Sequence, residues 1–241
     1  MCIRDSYEAL QEIPGRIMSY AGLLFAADSS VAAHGQFYQT MSETLTALGT
    51  KTLFFTLELN RLSDESLAEK LRAPELQRYE SWLRDLRVFL PHQREDVIEQ
   101  LFMEKEVTGH SAWTRLFDET IAALRLEVRG EALTLSAALN KLSDTDRAVR
   151  EDAFKAVAKT MAQNEKLFAL VLNTIAKDKA IDDEWHAYPH PWSFRNRANM
   201  VEDEVVEALV GAVKSSYGRL SHRYYALKAK WLGLEKLEPV S

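Results

Sequence analysis

Apolar residues recur three and four positions apart along most of the chain, which is the period of amphipathic α-helices. The first helical stretch covers residues 7–28 and is interrupted at Pro14. Ser29 and Ser30 then offer an N-cap for a second helix that runs to about Leu59. The pattern therefore predicts two long helices in this part of the chain.

Shorter helical patterns follow, each bounded by a start or stop signal. Ser63 is placed to cap a short helix, and Pro74 suits the first turn of the next one, which Pro91 ends. Two more helical patterns cover residues 93–106 and 111–123. The spacing of these signals predicts several short helices in close succession.

One segment departs from the helical period. Leu126 and Val128 alternate with charged residues, and Arg129-Gly130 is a turn signal before a second short apolar run. This pattern predicts a lone β-hairpin near residues 124–135. The predicted fold class is therefore mainly α, a multi-helix array with one small β-hairpin.

The helical period resumes after the hairpin. Ser143-x-x-Asp146 resembles a capping box, with Asp in place of the usual Glu or Gln, and two amphipathic helices are predicted beyond it. Residues 185–199 contain two prolines and break the period. Residues 202–232 then form a long helical stretch that is dense in aromatic and basic side chains.

These breaks predict how the chain is divided. The first six residues, MCIRDS, resemble a translated adaptor sequence, so we expect Met1 and Cys2 to be non-native. The predicted divisions are a non-native leader (residues 1–6), an N-terminal helical region (7–110), a second helical region with the hairpin (111–185) and a further region (200–241).

Charge, apolar run length and cysteine count argue against several classes of protein. The 241 residues carry a formal charge of −6, which argues against bulk attraction to nucleic acid or anionic lipid. Apolar runs do not reach the roughly 18–20 residues that a membrane span needs. Cys2 is the single cysteine, so an internal disulfide is impossible. We therefore expect a cytoplasmic protein with no membrane partner.

Histidines at metal-ligand spacing are the first chemical candidates. His186 and His190 are four apart, but Ala187 replaces the glutamate of a zinc-binding helix and Pro189 would break that helix. Asp183-x-x-His186 is a single carboxylate–histidine pair, whereas a di-iron bundle needs two such pairs and further glutamates. The sequence therefore predicts no metal ligand.

Other catalytic and binding motifs are incomplete. Ser111 lacks the second glycine of a nucleophile elbow, and Gly49-Thr-Lys-Thr lacks the upstream glycine of a phosphate loop. Basic and aromatic residues alternate over 214–236, a composition that can bind single-stranded nucleic acid. The acidic total favours instead a helix with one cationic face in water and one aromatic packing face. We therefore predict no catalytic, cofactor-binding or metal-ligating residue and no nucleic-acid partner.

Several stretches, taken in order, resemble oligoendopeptidase F, a branch of the thimet-like zinc metallopeptidases. They are SYAGLLFAAD (19–28), LFFTLELNRL (53–62), EQLFMEKEVTGHSAWTRLFDETIAAL (99–124), LTLSAALNKLSD (133–144) and RLSHRYYALKAKWLGLEKL (219–237). The resemblance implies a mainly helical peptidase with a deep channel, whose N-terminal helices form part of the channel wall. It also implies zinc on a helix that carries His-Glu-x-x-His, with a further Glu ligand downstream.

That zinc motif does not occur in this sequence, so no ligand or catalytic base can be assigned to its residues. The resemblance therefore implies an N-terminal fragment: 111–185 resembles the family's N-terminal domain, and 200–241 the truncated start of the peptidase domain. The parent would bind zinc and hydrolyse short peptides, and the fragment's partner would be the missing C-terminal half. We expect the fragment alone to bind no zinc and to be inactive. The alternative is a non-catalytic helical scaffold that binds a peptide or a partner.

A physical expectation follows from the fragment interpretation. Residues 202–232 should expose apolar surface that would otherwise pack against the missing half. The isolated chain should then bind hydrophobic dyes and associate as its concentration rises.

Overall fold

A computed structural model describes residues 3–240 of the chain, with side chains from residue 7 onward. Met1, Cys2 and Ser241 lie outside the described residues, and the prediction that the first two are non-native lies there with them. The described residues are mainly helical and contain a single two-stranded antiparallel sheet, so the predicted fold class is confirmed. Across residues 3–240, none of the helices combines the length and the apolar character needed to cross a membrane.

The chain divides into two compact units, each built from two separate stretches of sequence. The first unit contains the described residues up to Asp118 together with Asn173–Met200. The second unit contains Glu119–Leu172 together with the residues from Val201 onward. The domain boundaries given by the sequence stay a prediction.

The elements before the hairpin are all helical. They are α1 (Ile3–Ala27), α2 (Ala32–Asn60), α3 (Asp64–Lys70), α4 (Pro74–Gln77), α5 (Glu80–Arg87), α6 (Asp96–Glu106) and α7 (His110–Ala123), with a 3₁₀ turn at Leu90–His92.

The hairpin and six further helices follow. They are β1 (Leu126–Val128), β2 (Glu131–Leu133), α8 (Leu135–Asn140), α9 (Arg147–Gln163), α10 (Glu165–Trp185), α11 (Ser193–Ala198), α12 (Asp203–Ser216) and α13 (Arg223–Trp231). A 3₁₀ turn at Lys141–Ser143 follows α8, and a π-helical turn at Gly218–His222 joins α12 to α13.

Several helix starts and the hairpin turn lie where local sequence signals predicted them. The Ser63 hydroxyl accepts a hydrogen bond from the Ser66 backbone N–H at 3.2 Å and caps α3, and Pro74 is the first residue of α4. The hairpin turn consists of Arg129 and Gly130, whose φ angles are both positive at 54° and 86°. Two positive φ angles match the twist of a tight two-residue hairpin, which is why a glycine is favoured there.

The first two helices differ from the prediction in detail. α1 continues through Pro14 without a break, although proline removes one backbone hydrogen bond. Packing of α1 along α2 supports the continuous helix. Ser30 does not cap α2, because its N–H and its hydroxyl both donate to the Asp28 carboxylate, at 3.0 and 2.6 Å. α2 begins instead after Val31, which makes no side-chain cap.

The predicted capping box at Ser143-x-x-Asp146 is wrong. Ser143 ends a 3₁₀ turn, and Asp146 is itself the N-cap of α9. The Asp146 carboxylate accepts a hydrogen bond from the Ala148 backbone N–H at 2.9 Å. Aspartate at the N-cap satisfies a free N–H and places negative charge at the positive end of the helix dipole.

The second unit has a small apolar core around the hairpin. Leu126 pairs directly with Leu133 across the two strands, and both side chains are buried. Val128, Ala138 and Ala153 complete the core. The two strands therefore attach α8 and α9 to one another through apolar contacts.

Candidate functional site

Two features of the described chain are candidates for a functional site. The first is a cluster of Glu99, Asp182 and His186 in the first unit, here called the acid–histidine cluster. The second is an uncovered apolar surface on α12 and α13 in the second unit.

The acid–histidine cluster joins α6 to the end of α10. His186 Nδ1 lies 2.9 Å from Asp182 Oδ1, and His186 Nε2 lies 3.7 Å from Glu99 Oε1. The side chains of His186 and Glu99 are only 12% and 19% exposed. Asp182 is one helical turn before His186, whereas Glu99 comes from α6, so the cluster depends on tertiary packing.

Charge and hydrogen bonding determine the protonation of this cluster. The hydrogen bond to the Asp182 carboxylate and the ion pair with Glu99 raise the pKa of His186 to about 10, although burial opposes the rise. Burial raises the pKa of Glu99, but the contact with His186 and a hydrogen bond from the Arg94 backbone N–H outweigh burial and lower that pKa overall. At neutral pH the cluster therefore holds an imidazolium between two carboxylates.

Contacts around the cluster fix the loop that follows α10. The ring of Tyr188 stacks on that of His92 with centroids 4.1 Å apart, and His92 Nδ1 lies 2.9 Å from the His186 carbonyl oxygen. The Arg94 guanidinium donates a hydrogen bond to the Trp185 carbonyl oxygen. Burial raises the pKa of Tyr188 to about 12, so its hydroxyl stays protonated. The cluster and its surroundings therefore serve to hold helices together.

The acid–histidine cluster does not fit a zinc ion. Zinc binds a neutral imidazole through a nitrogen lone pair, but both nitrogens of His186 face carboxylates on opposite sides of the ring. The three side chains therefore cannot converge on one ion. Among the described residues, no group of three or more His, Cys, Asp or Glu side chains is arranged to hold a metal.

The residues of the metal candidates identified from the sequence lie apart. The ring of His190 stacks on Trp192 with centroids 4.8 Å apart and takes no part in the cluster. Asp183 forms an ion pair with Lys179 one turn earlier in α10. The sequence analysis noted the spacing Asp183-x-x-His186 and assigned no ligand to it, whereas the structure places Asp182 and Glu99 beside His186. Glu99 could not be found from spacing, because no local pattern connects α6 to α10.

The nucleophile and phosphate-loop candidates have structural contacts instead. Ser111 lies in the first turn of α7 and donates a hydrogen bond to Glu106 Oε1 at 2.9 Å. Gly49 lies inside α2, where an added Cβ would be 2.9 Å from the terminal methyl carbon of Met103. That glycine therefore allows α2 to pack closely against α6.

The uncovered apolar surface lies on α12, the π-helical turn and α13. Its side chains are between 40% and 69% exposed, so the predicted exposure of apolar surface in residues 202–232 is confirmed. The exposed residues are Val205, Leu209, Val210, Val213, Tyr217, Leu220, Tyr224, Tyr225, Leu227 and Trp231. We call them the α12–α13 apolar face. Exposed apolar surface is a common feature of protein interfaces.

Basic residues accompany the second half of this face. Residues 214–236 contain six lysines and arginines and one glutamate. In the π-helical turn, the His222 N–H donates to the Tyr217 carbonyl oxygen at 2.9 Å, one residue further back than in an α-helix. Such turns occur often at functional positions in helices.

Known proteins similar to this chain are oligopeptidases. A family model described as Oligopeptidase F matches residues 58–125. Group B oligopeptidase PepB of Streptococcus agalactiae serotype III (strain NEM316) is 27% identical over an alignment of 231 positions, which covers 92% of this chain and 38% of PepB. Oligopeptidase PepF of Bacillus subtilis (strain 168) is 27% identical over an alignment of 252 positions, which covers 96% of this chain and 36% of PepF.

A solved structure shows the same fold. Oligoendopeptidase-F from Enterococcus faecium superimposes with a TM-score of 0.83 at 22% identity, over 98% of this chain and 48% of that protein. The chain thus spans less than half the length of each of these relatives. The resemblance to oligoendopeptidase F that the sequence predicts is therefore confirmed over nearly the whole of this chain.

Proposed function

We propose that this chain is the N-terminal part of an oligoendopeptidase F-like zinc metalloendopeptidase that hydrolyses short peptides in the cytoplasm. The observation that carries the proposal is the alignment with PepB, which uses 92% of this chain and only 38% of that oligopeptidase. A parent of similar length would contain a large further stretch of polypeptide, including the region that binds zinc and substrate.

We further propose that the 241-residue chain is inactive by itself. His-Glu-x-x-His does not occur in its sequence, and the acid–histidine cluster does not fit zinc. The first unit would contribute a helical wall. In that wall the charged cluster fixes α6 to α10, and stacking of His92 on Tyr188 fixes the adjoining loop.

The inactivity can be tested with purified chain and a set of short internally quenched peptides. We expect no hydrolysis above buffer, with or without added zinc, and no effect of a zinc chelator. Purified PepB in the same assay serves as the positive control. Hydrolysis by the 241-residue chain that a chelator abolishes would overturn this part of the proposal.

A second candidate is a non-catalytic helical scaffold that binds a peptide or a protein partner. The observation in its favour is the α12–α13 apolar face, which a binding module would also expose. The genomic sequence beyond the codon for Ser241 separates the two candidates. A reading frame that continues into His-Glu-x-x-His supports the peptidase, and a native stop codon supports the scaffold.

A further inference from the structure

α12 and α13 bury little of their own surface in the unit that contains them. Among the described residues from 202 to 232, here called the helical arm, Ala229 alone is buried, at 6% exposure. The main contacts of both helices are with the π-helical turn between them and not with the hairpin core. The side chains of the arm therefore supply little of the packing that would hold it on the second unit.

The segment that follows α13 is better buried than the arm. Gly233 comes after the last turn of α13 with a φ of 68°, the left-handed conformation that commonly ends a helix. The chain then continues as residues 234–240, here called the strap. Leu234 and Leu237 are partly buried, and Val240 is only 6% exposed. An apolar side chain at every third position of the strap is therefore turned away from water.

Two arginines of α9 bind the far end of the strap. Arg147 Nη2 lies 2.6 Å from Glu238 Oε2, and Arg150 Nε donates to the Val240 carbonyl oxygen at 2.9 Å. Arg150 Nη1 also donates to the Asp144 carbonyl oxygen at 2.9 Å, in the loop before α9. Since α9 packs against β1, one guanidinium connects the strap to the part of the unit that contains the hairpin core.

The two arginine contacts differ in their exposure to water. The side chains of Arg147 and Glu238 are 51% and 61% exposed, so water and salt weaken their attraction. The hydrogen bond from Arg150 is partly buried, and it ends on the residue of the strap that is most removed from water. Arg150 and Val240 therefore contribute most of the attachment.

We infer that the strap anchors the helical arm on the second unit through Arg150 and Val240, and that opening of the strap releases the arm. The hairpin core contains no residue of the arm or the strap among those described, so the core keeps its packing when the strap opens. The fold thus contains a conformational device in which a short segment controls the position of two helices. All of its contacts lie within this chain, so the inference does not depend on the proposed function.

Amide hydrogen exchange of the 241-residue chain tests the anchor. Val240→Asp places a charge at the buried end of the strap, whereas Val205→Asp makes the same change at a valine of α12 that is 55% exposed. Relative to wild type, Val240→Asp should speed exchange in α13 about tenfold or more and in β1 and β2 less than about twofold. Val205→Asp should change exchange in α13 and in both strands less than about twofold.

A substitution on α9 tests the same contact from the other side. Arg150→Gln should speed exchange in α13 in the same pattern as Val240→Asp, because it removes the hydrogen bond to the strap. Lys155→Gln is the matched control, since it makes an equal charge change on α9 at an exposed ion pair with Glu151. Far-UV circular dichroism checks that each variant retains its helices.

Spin labels measure release of the arm directly. In a Cys2→Ser background, nitroxides at Tyr225→Cys on α13 and Lys159→Cys on α9 should give one narrow distance distribution. Adding Val240→Asp should make that distribution wider, whereas adding Val205→Asp should leave it unchanged.

Two results would overturn the inference. Exchange in α13 that is unchanged in both Val240→Asp and Arg150→Gln, or a distance distribution that stays narrow in Val240→Asp, would show that the strap does not hold the arm. Equal acceleration of exchange in α13 and in the hairpin would show that the strap belongs to the cooperative core and does not open by itself.

Discussion

Replacing His186 by glutamine should destabilise the first unit because the substitution removes the cation between Glu99 and Asp182. Each unit of pKa shift corresponds to about 1.4 kcal/mol, so a rise from 6.5 to about 10 corresponds to at most about 5 kcal/mol. Water reaches the cluster through Asp182, whose side chain is 38% exposed, and screens part of this energy. We expect His186→Gln to lower the free energy of unfolding by about 2 kcal/mol near pH 5.5.

The size of this effect should depend on pH in a defined direction. The pKa of His186 is raised by folding, so its contribution is complete below pH 6.5 and is lost as the pH rises through about 10. The pKa of Glu99 is lowered by folding, so its contribution is present above pH 4.5 and is lost as the pH falls below that value. The difference between wild type and variant should therefore be largest between pH 4.5 and 6.5.

Urea unfolding followed by tryptophan fluorescence measures this difference at pH 5.5 and pH 9.5. Four of the five tryptophans lie in the first unit and report mainly on it: Trp82, Trp113, Trp185 and Trp192.

The matched control is His110→Gln. Nδ1 of His110 lies 3.4 Å from Glu106 Oε1, but both side chains are 54% exposed, so this variant should lose less than about 0.5 kcal/mol. Equal losses for His186→Gln at the two pH values, or a loss no greater than that of the control, would refute the reasoning.

Three further predictions concern local stability and use the same denaturation assay, followed by circular dichroism. Leu126→Ala should lower the free energy of unfolding of the second unit by about 3 kcal/mol because Leu126 is fully buried, whereas Leu139→Ala at an exposed position should cost less than about 1 kcal/mol. Gly130→Ala should cost about 1 kcal/mol or more, because its φ of 86° is strained for any residue with a Cβ. Asp146→Ala should cost about 1 kcal/mol through loss of the α9 cap, and Ser143→Ala should have no measurable effect if the capping box is absent as observed.

Features that depend on neighbouring residues could be predicted from the sequence. The hairpin turn at Arg129-Gly130 and the cap at Ser63 each need only a few adjacent residues, and both were predicted correctly. Pro14 gave a misleading signal because packing along α2, which no local pattern records, supports α1 through the proline. Ser30 gave one because its N–H and hydroxyl donate to Asp28 two positions earlier, and α2 begins only after Val31.

Only part of the acid–histidine cluster could be predicted from the sequence. Asp182 and His186 are four apart, so their contact on one face of α10 could have been found from spacing alone. Glu99 reaches His186 only because α6 packs against the end of α10, and no periodic pattern records that packing. The protonated state of His186 depends on both acids and therefore could not be deduced from the sequence.

The α12–α13 apolar face shows what sequence and structure provide together. Val205, Leu209 and Val213 are spaced four apart, as apolar residues are on the buried face of an amphipathic helix. This spacing predicts a buried face but does not identify the element that packs against it. The structure adds that the described part of the chain leaves them exposed.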